Sequence, residues 1–344
     1  MRKLLNTLYV TNPDVFLTKD GDNVVAKIEN CEVMRLPAIN LEGIVCFNNM
    51  GASKYLMAMC AEHHIGLCFL TSSGRFQARV TGGTNGNVLL RRKQYRVADD
   101  KEEALKISKI IIRGKIHNSR KVVERFTRDH ASSVEDVSRV EAISNALKVN
   151  MRQVLNAQTA NELRGVEGDA AGNYFSLFDD MIVAQKPAFS FVGRNRRPPK
   201  DRTNCLLSFV YTLLGHEVQS ALETVGLDPY VGFLHADRPG RAGLALDMME
   251  ELRAYLADRF VLSLINRRQV CAEDFIENGA DNIIMSDSCK NTVLATWQKR
   301  KKDTMSHPFL AESVPIGLLP YIQAMLMARY LRGDLDNYPV FLIQ

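Results

Sequence analysis

Short apolar runs punctuate the first 95 residues: LYV (8–10), VFL (15–17), VVAKI (24–28), GIVCF (43–47), GLCFL (66–70) and NVLL (87–90). Between them stand DGD (20–22), NNMG (48–51), SSG (72–74) and GGTNG (82–86), whose residues accept the backbone angles of tight turns. This pattern predicts short strands. KYLMAMCAEHH is the exception: its apolar positions recur at helical spacing, Ser53 stands where a helix cap belongs, and Gly66 follows the end.

The period changes near residue 96. VADDKEE is polar, with Asp99 and Asp100 suited to a helix start. From there EEALKISKIIIRGKIHNSRKVVERF repeats apolar residues every three to four positions. Further helices are predicted over roughly 134–165, 169–183, 203–225, 242–265 and 313–332. The fold class expected is α+β. A small, mostly β domain (1–95) leads through a linker (96–104) into a larger, mostly α-helical domain (105–344).

A length of 344 residues favours two domains, and 46% hydrophobic with 24% charged residues is the balance of a soluble globular chain. No stretch predicts a membrane-spanning helix. MRKLLNTLYV reaches Asn12, Pro13 and Asp14 before an apolar core develops, so it reads as a first strand, not a signal peptide. Seven cysteines are dispersed with no CxxC pair, which points to reduced thiols and a cytoplasmic address. Cys60, beside His63 and His64, reads as a small core residue among Leu56, Met57 and Met59.

Charge adds a second theme. The net value is only +5, but RRKQYR (91–96), RNRRPPKDR (194–202) and KRKK (299–302) concentrate it in three runs. Such runs suggest surfaces that meet phosphates, although any one of them also suits a solvated face. Two catalytic classes are excluded. GGTNGN (82–87) lacks the GK[ST] ending of a phosphate loop, and no GxSxG elbow is present.

The segment GLDPYVGFLHADRPGRAGLALDMMEELRAYLADRF (226–260) places an isolated His235 before a glycine-bearing loop and a helix. On that helix Asp247 and Glu250 stand at i and i+3, so both carboxylates leave one face. An imidazole facing two carboxylates suits magnesium or manganese, whereas a core histidine and solvated acids are the plainer reading. In LRGVEGDAAGNYF, Glu167 lies between Gly165 and Gly168, small neighbours that let a substrate or another backbone come close. Arg194, Arg196, Arg197 and Lys200 are candidate phosphate contacts, as are Lys299 and Arg300. Tyr174 and Tyr211 are candidate platforms for splayed bases, or simply core aromatics.

LRGVEGDAAGNYF, RNRRPPKDRTNCLLSFVY and GLDPYVGFLHADRPGRAGLALDMMEELR, in that order, resemble the CRISPR-associated integrase-endonuclease of spacer acquisition. SHPFLAESVPIGLLPYIQAMLMARYLRGDLDNYPVF resembles its I-C form, so the likeness spans nearly the whole chain. The resemblance implies a Mg²⁺ or Mn²⁺ held by Glu167, His235 and Glu250, with Asp247 as a further ligand or a water-mediated partner. Relatives often carry aspartate at the position of Glu250, and many carry serine near Ala242-Gly243.

It implies an activity too: metal-dependent transesterification that joins the 3′-hydroxyls of short double-stranded DNA fragments into the CRISPR repeat, together with DNA cleavage. It further implies a homodimer, and a heterohexamer with the second CRISPR-associated acquisition protein. Two other readings use the same residues. One is a general metal-dependent nuclease of branched or repair DNA; the other is a non-catalytic DNA-binding scaffold.

Overall fold

The structure is a computed structural model and describes residues 5–47, 50–72, 74–82, 87–130, 136–195, 198–279 and 282–344. The chain forms two compact units. One comprises residues 1–86, 285–303 and 315–318; the other comprises 87–284, 304–314 and 319–344.

In the first unit the apolar runs become strands: β1 (Asn6–Val10), β2 (Phe16–Asp20), β3 (Asn23–Ile28), β4 (Cys31–Pro37), β5 (Leu41–Cys46), β6 (Gly66–Leu70) and β7 (Phe76–Val80). One sheet has the order β1-β5-β6-β7, parallel except for the β6–β7 pair, and the other is the antiparallel meander β2-β3-β4. The helix α1 (Lys54–Glu62) begins where Ser53 accepts a bond from the Leu56 amide at 3.2 Å. Leu17, Val24, Ile44, Leu56, Cys60 and Leu67 are fully buried in the resulting core. Burial also pushes the Cys60 thiol up to about 12, as befits a packed thiol and not a metal-binding thiolate.

The second unit is helical: α2 (Val88–Asp99), α3 (Lys101–Asp129), α4 (Val137–Asn156), α5 (Ala160–Ser176), α6 (Arg202–Val225), α7 (Gly243–Arg253), α8 (Arg259–Asn266) and α10 (Leu319–Arg332). The remaining helix, α9 (Asp287–Lys302), returns to the first unit. Helix α3 is the axis of the second unit. Asp100 caps it through the Glu102 and Glu103 amides, and its stripe of Ile107, Ile111, Ile112 and Ile116 packs inward. It lies against α4, α5 and α7, and so holds the helices that carry the candidate ligands.

The chain's last residues tie α3 to α7. Asn118 on α3 donates to the carbonyls of Glu251 (2.7 Å) and Phe341 (2.8 Å) and accepts from the Ile343 amide (2.9 Å). Glu251 is fully buried and accepts from Gln323 (3.0 Å), from the Phe341 amide (2.5 Å) and from the Tyr338 hydroxyl. Burial lifts its carboxyl to about 8 in spite of those donors. A carboxyl raised in this way contributes stability in full below pH 4.5, its ordinary value, and loses it as pH climbs to about 8. Unfolding free energy in wild type minus that in E251Q is therefore expected to fall across this window by up to about 1.4 kcal/mol per pH unit. A flat difference in denaturant titrations would contradict it.

Several elements differ from expectation. NVLL begins α2 instead of forming a strand: Leu90, Gln94 and Val97 recur at helical spacing and are buried. The first unit therefore closes at residue 86, not 95, and no linker separates α2 from α3 beyond Asp100. The helix expected over 134–165 is broken at 157–159, where Thr159 caps a new helix. That helix, α5, runs unbroken through Gly165 and Gly168, so Glu167 stands within a helix and not between the two expected over 134–165 and 169–183. The helix expected over 242–265 holds one π turn, Ala254–Asp258. Among the described residues, no helix is long and apolar enough to cross a membrane.

Candidate active site

Glu167 on α5 and Glu250 on α7 converge on one cation, the ammonium of Lys115 from α3. Lys115 Nζ lies 2.7 Å from Glu250 Oε2 and also donates to Glu167 Oε1. Arg253, one turn past Glu250, pairs with Glu250 Oε1 at 2.7 Å. The Glu250 side chain is only 6% exposed, and Oε2 has no hydrogen bond beyond the ion pair. Burial alone would raise this carboxyl. Arg253 and Lys115 outweigh burial and hold it down to about 2.

His235 reaches the site from the loop before α7. Asp247, fully buried on α7, accepts the His235 Nδ1 proton at 2.5 Å. The same carboxylate accepts the amides of Phe233 (2.6 Å), Leu234 (3.0 Å) and His235 (3.1 Å). Four donors occupy both oxygens, and through one of these bonds Asp247 orients the imidazole. With the proton on Nδ1, the Nε2 lone pair is left for a cation.

The loop is held in place from two sides. Gln94 of α2 is fully buried; it donates to the carbonyls of Asp228 (2.7 Å) and Val231 (2.8 Å) and accepts from the Asp228 amide (3.0 Å). Tyr95 adds a bond to Asp228 at 2.8 Å. The run RRKQYR, read from sequence as a basic patch, thus supplies the two anchors of the histidine loop. Gly232 lies so close to α7 that a Cβ would stand 2.7 Å from Asp247 Oδ2 and from the Gly243 carbonyl carbon. Gly232→Ala should displace the loop and cost about 1–3 kcal/mol, seen as a lower denaturation midpoint together with reduced activity. Unchanged stability and activity would contradict this packing.

The other sequence candidates are placed differently from one another. Tyr174 and Tyr211 do not offer base-stacking faces. Both hydroxyls donate to buried Asp258, at 3.0 and 2.6 Å. Tyr174 packs edge-on to Phe175 and Phe178, and Tyr211 is covered by the guanidinium groups of Arg194 (5.1 Å) and Arg253 (4.9 Å). Arg194 likewise turns inward, donating to Asn204 (2.5 Å) and Ser208 (3.1 Å), which ties the loop to α6. Arg196 and Arg197 lie outside the described residues, and Lys200 is exposed. Lys299 is exposed in the first unit, whereas Arg300 pairs with Asp303 at 2.9 Å.

No group of three His, Cys, Asp or Glu side chains stands ready as a metal cage among the described residues. The donor chemistry nonetheless fits a hard divalent ion: two carboxylates, one imidazole nitrogen, and a position that already draws a cation. Lys115 and Arg253 complete this set and are not evident from sequence. The one signal for Lys115 is its place on the apolar stripe of α3, one turn from Ile111 and Ile112.

Comparisons with known proteins agree on a single family. The profile described as "CRISPR associated protein Cas1" matches residues 8–299. A protein named CRISPR-associated endonuclease Cas1 1 from Chlorobaculum tepidum is 47% identical over 341 residues, 99% of each chain. CRISPR-associated endonuclease Cas1 2 from Rhodospirillum rubrum is 49% identical over 342 residues, 98% of each chain. Among solved structures, a casposase bound to an integration product has a TM-score of 0.84 at 21% identity, covering 98% of this chain and 94% of its own. A Cas1 protein from Thermotoga maritima has 0.81 at 22% identity, covering 98% of this chain and all of its own. These two show the fold. With the profile covering most of its length and relatives near half identical end to end, this chain belongs to the Cas1 family of CRISPR-associated proteins.

Proposed function

We propose that Glu167, His235 and Glu250 hold the divalent cation with which this CRISPR-associated DNA endonuclease and integrase works. One observation carries the assignment: carboxylates from two different helices converge on a single positive charge, Lys115 Nζ. Asp247, which holds the His235 imidazole, lies one helical turn before Glu250 on α7, so the imidazole is carried by the same helix. Oxygen-rich donors with one imidazole suit Mg²⁺ or Mn²⁺.

The reaction is transesterification: the 3′-hydroxyl of a short DNA fragment attacks a phosphodiester of the CRISPR repeat and expels another 3′-oxygen. A divalent ion bound here supplies Lewis acidity for the phosphate and acidifies the attacking hydroxyl. Everything else falls to the chain's own side chains. Asp247 fixes the tautomer and aim of His235. Arg253 keeps the Glu250 carboxylate charged and positioned. Lys200, with Arg196, Arg197 and Lys299, meets DNA phosphates without reading bases.

The family membership and the C-terminal segment SHPFLAESVPIGLLP support an I-C form acting in the cytoplasm as a homodimer. It assembles there into a heterohexamer with Cas2, the partner in the complexes whose Cas1 portions share this fold. A labelled duplex with free 3′-hydroxyls, incubated with a repeat-bearing plasmid, Cas2 and Mn²⁺, tests the reading. Covalent transfer of label to plasmid, abolished by EDTA, is the expected result. Nicking without transfer would favour a purely hydrolytic nuclease, and binding without either would leave a scaffold.

A further inference from the structure

A cavity of about 30 Å³, enough room for a water-sized group such as an ammonium, lies beside Lys115. Its walls include Lys115 and Ser119 of α3, Arg253, and Asp258 at the end of the π turn. Asp258 is 2% exposed and receives one tyrosine hydroxyl on each oxygen, which leaves acceptor capacity on both. Lys115 therefore borders two acidic partners, the Glu167–Glu250 pair that it bridges and Asp258 across the cavity. A lysine carries its charge on a flexible four-carbon stem, suited to exchange between two such places. Ser119, one helical turn along from Lys115, adds a hydroxyl to the second of them.

We infer that Lys115 is a resident counter-cation that the incoming metal displaces, and that the cavity walled by Ser119 and Asp258 receives its ammonium. This rests on the assignment of the metal to Glu167, His235 and Glu250. In the metal-free protein Lys115 neutralises two facing carboxylates that would otherwise repel and spread apart. In the loaded protein it sits against Asp258, a positioning residue beside the reaction centre and not a ligand. The affinity for metal is then set in part by competition, because each bound ion must first evict the ammonium.

The test is Mn²⁺ binding followed by electron paramagnetic resonance, with thermal unfolding measured in parallel. It uses full-length wild type, K115M, D258N, the double variant and E167Q. K115M should bind Mn²⁺ about tenfold more tightly than wild type. It should also unfold at a lower temperature without metal and recover most of that loss when Mn²⁺ is added. D258N should weaken binding while Lys115 is present and leave it unchanged in the K115M background, a non-additivity that a purely structural aspartate would not produce.

Unchanged or weaker binding by K115M, or equal effects of D258N in both backgrounds, would overturn the inference while leaving the metal site intact. Wild type that binds no Mn²⁺, or binds it as well in E167Q, would instead overturn the site assignment and this inference with it. If K115M fails to fold, K115Q takes its place, and D258N against wild type still decides by its direction.

Discussion

Replacing His235 with alanine is expected to lower DNA joining by roughly 10³-fold or more while leaving the protein folded. A bound metal supplies several kcal/mol of transition-state stabilisation, and each 1.4 kcal/mol or so is tenfold in rate. Removing the imidazole takes away the one nitrogen donor, and two carboxylates remain to hold the ion. The fold should survive because Asp247 keeps the amides of Phe233, Leu234 and residue 235 as hydrogen-bond donors. The loop also keeps its Gln94 anchor. Covalent transfer measured at saturating Mn²⁺, with circular dichroism as the control for folding, checks this. A variant with activity within about tenfold of wild type would remove His235 from the ligand set.

Asp247→Asn produces the second large effect, through a proton and not through a lost ligand. The aspartate accepts a hydrogen bond from the Nδ1–H of His235, which leaves Nε2 with a free lone pair. An asparagine can keep the Phe233 and Leu234 amides on its oxygen, but then turns its NH₂ toward Nδ1. The imidazole answers by moving its proton to Nε2, the atom the metal needs. Metal affinity should drop about 10- to 100-fold, with activity falling in parallel and partly recovering at high Mn²⁺. Loss of the buried charge from two amide-binding oxygens adds a stability cost of about 1–3 kcal/mol. Titration of Mn²⁺ into both proteins checks the affinity. Equal affinities would mean that Asp247 only shapes the loop.

Much of this site is legible in the sequence, and the reasons differ from residue to residue. His235 and Glu250 stand out because an isolated histidine precedes an amphipathic helix with two acids on one face. Asp247 is as visible as Glu250, but its role depends on three backbone amides that curl around it, and that curl requires Gly232 against Gly243. Lys115 and Arg253 are hidden because a single cation in a helix carries no periodic signature. Their meaning comes from Glu167, which is 52 positions away from Lys115.

The same holds for the fold. Strand β4 is exposed along most of its length, so it has no buried face to create an apolar alternation. Strand β7, FQARV, buries none of its residues fully either. The run NVLL is too short to separate strand from helix, and its helical character appears only when Gln94 and Val97 are counted with Leu90. In α9 a buried stripe of Cys289, Val293, Trp297 and Lys301 underlies a surface of charges. Lys301, inside a run read as phosphate-facing, is buried against Glu42 at 2.6 Å. That α9 rejoins the first unit is a long-range fact that no local pattern encodes.

Anomalous diffraction from a crystal soaked in Mn²⁺ tests the central claim most directly. One peak is predicted between α5 and α7, ligated by the carboxylates of Glu167 and Glu250 and by His235 Nε2, with Lys115 Nζ moved away from both carboxylates. A peak elsewhere, or an ion that leaves Lys115 bridging Glu167 and Glu250, would contradict it.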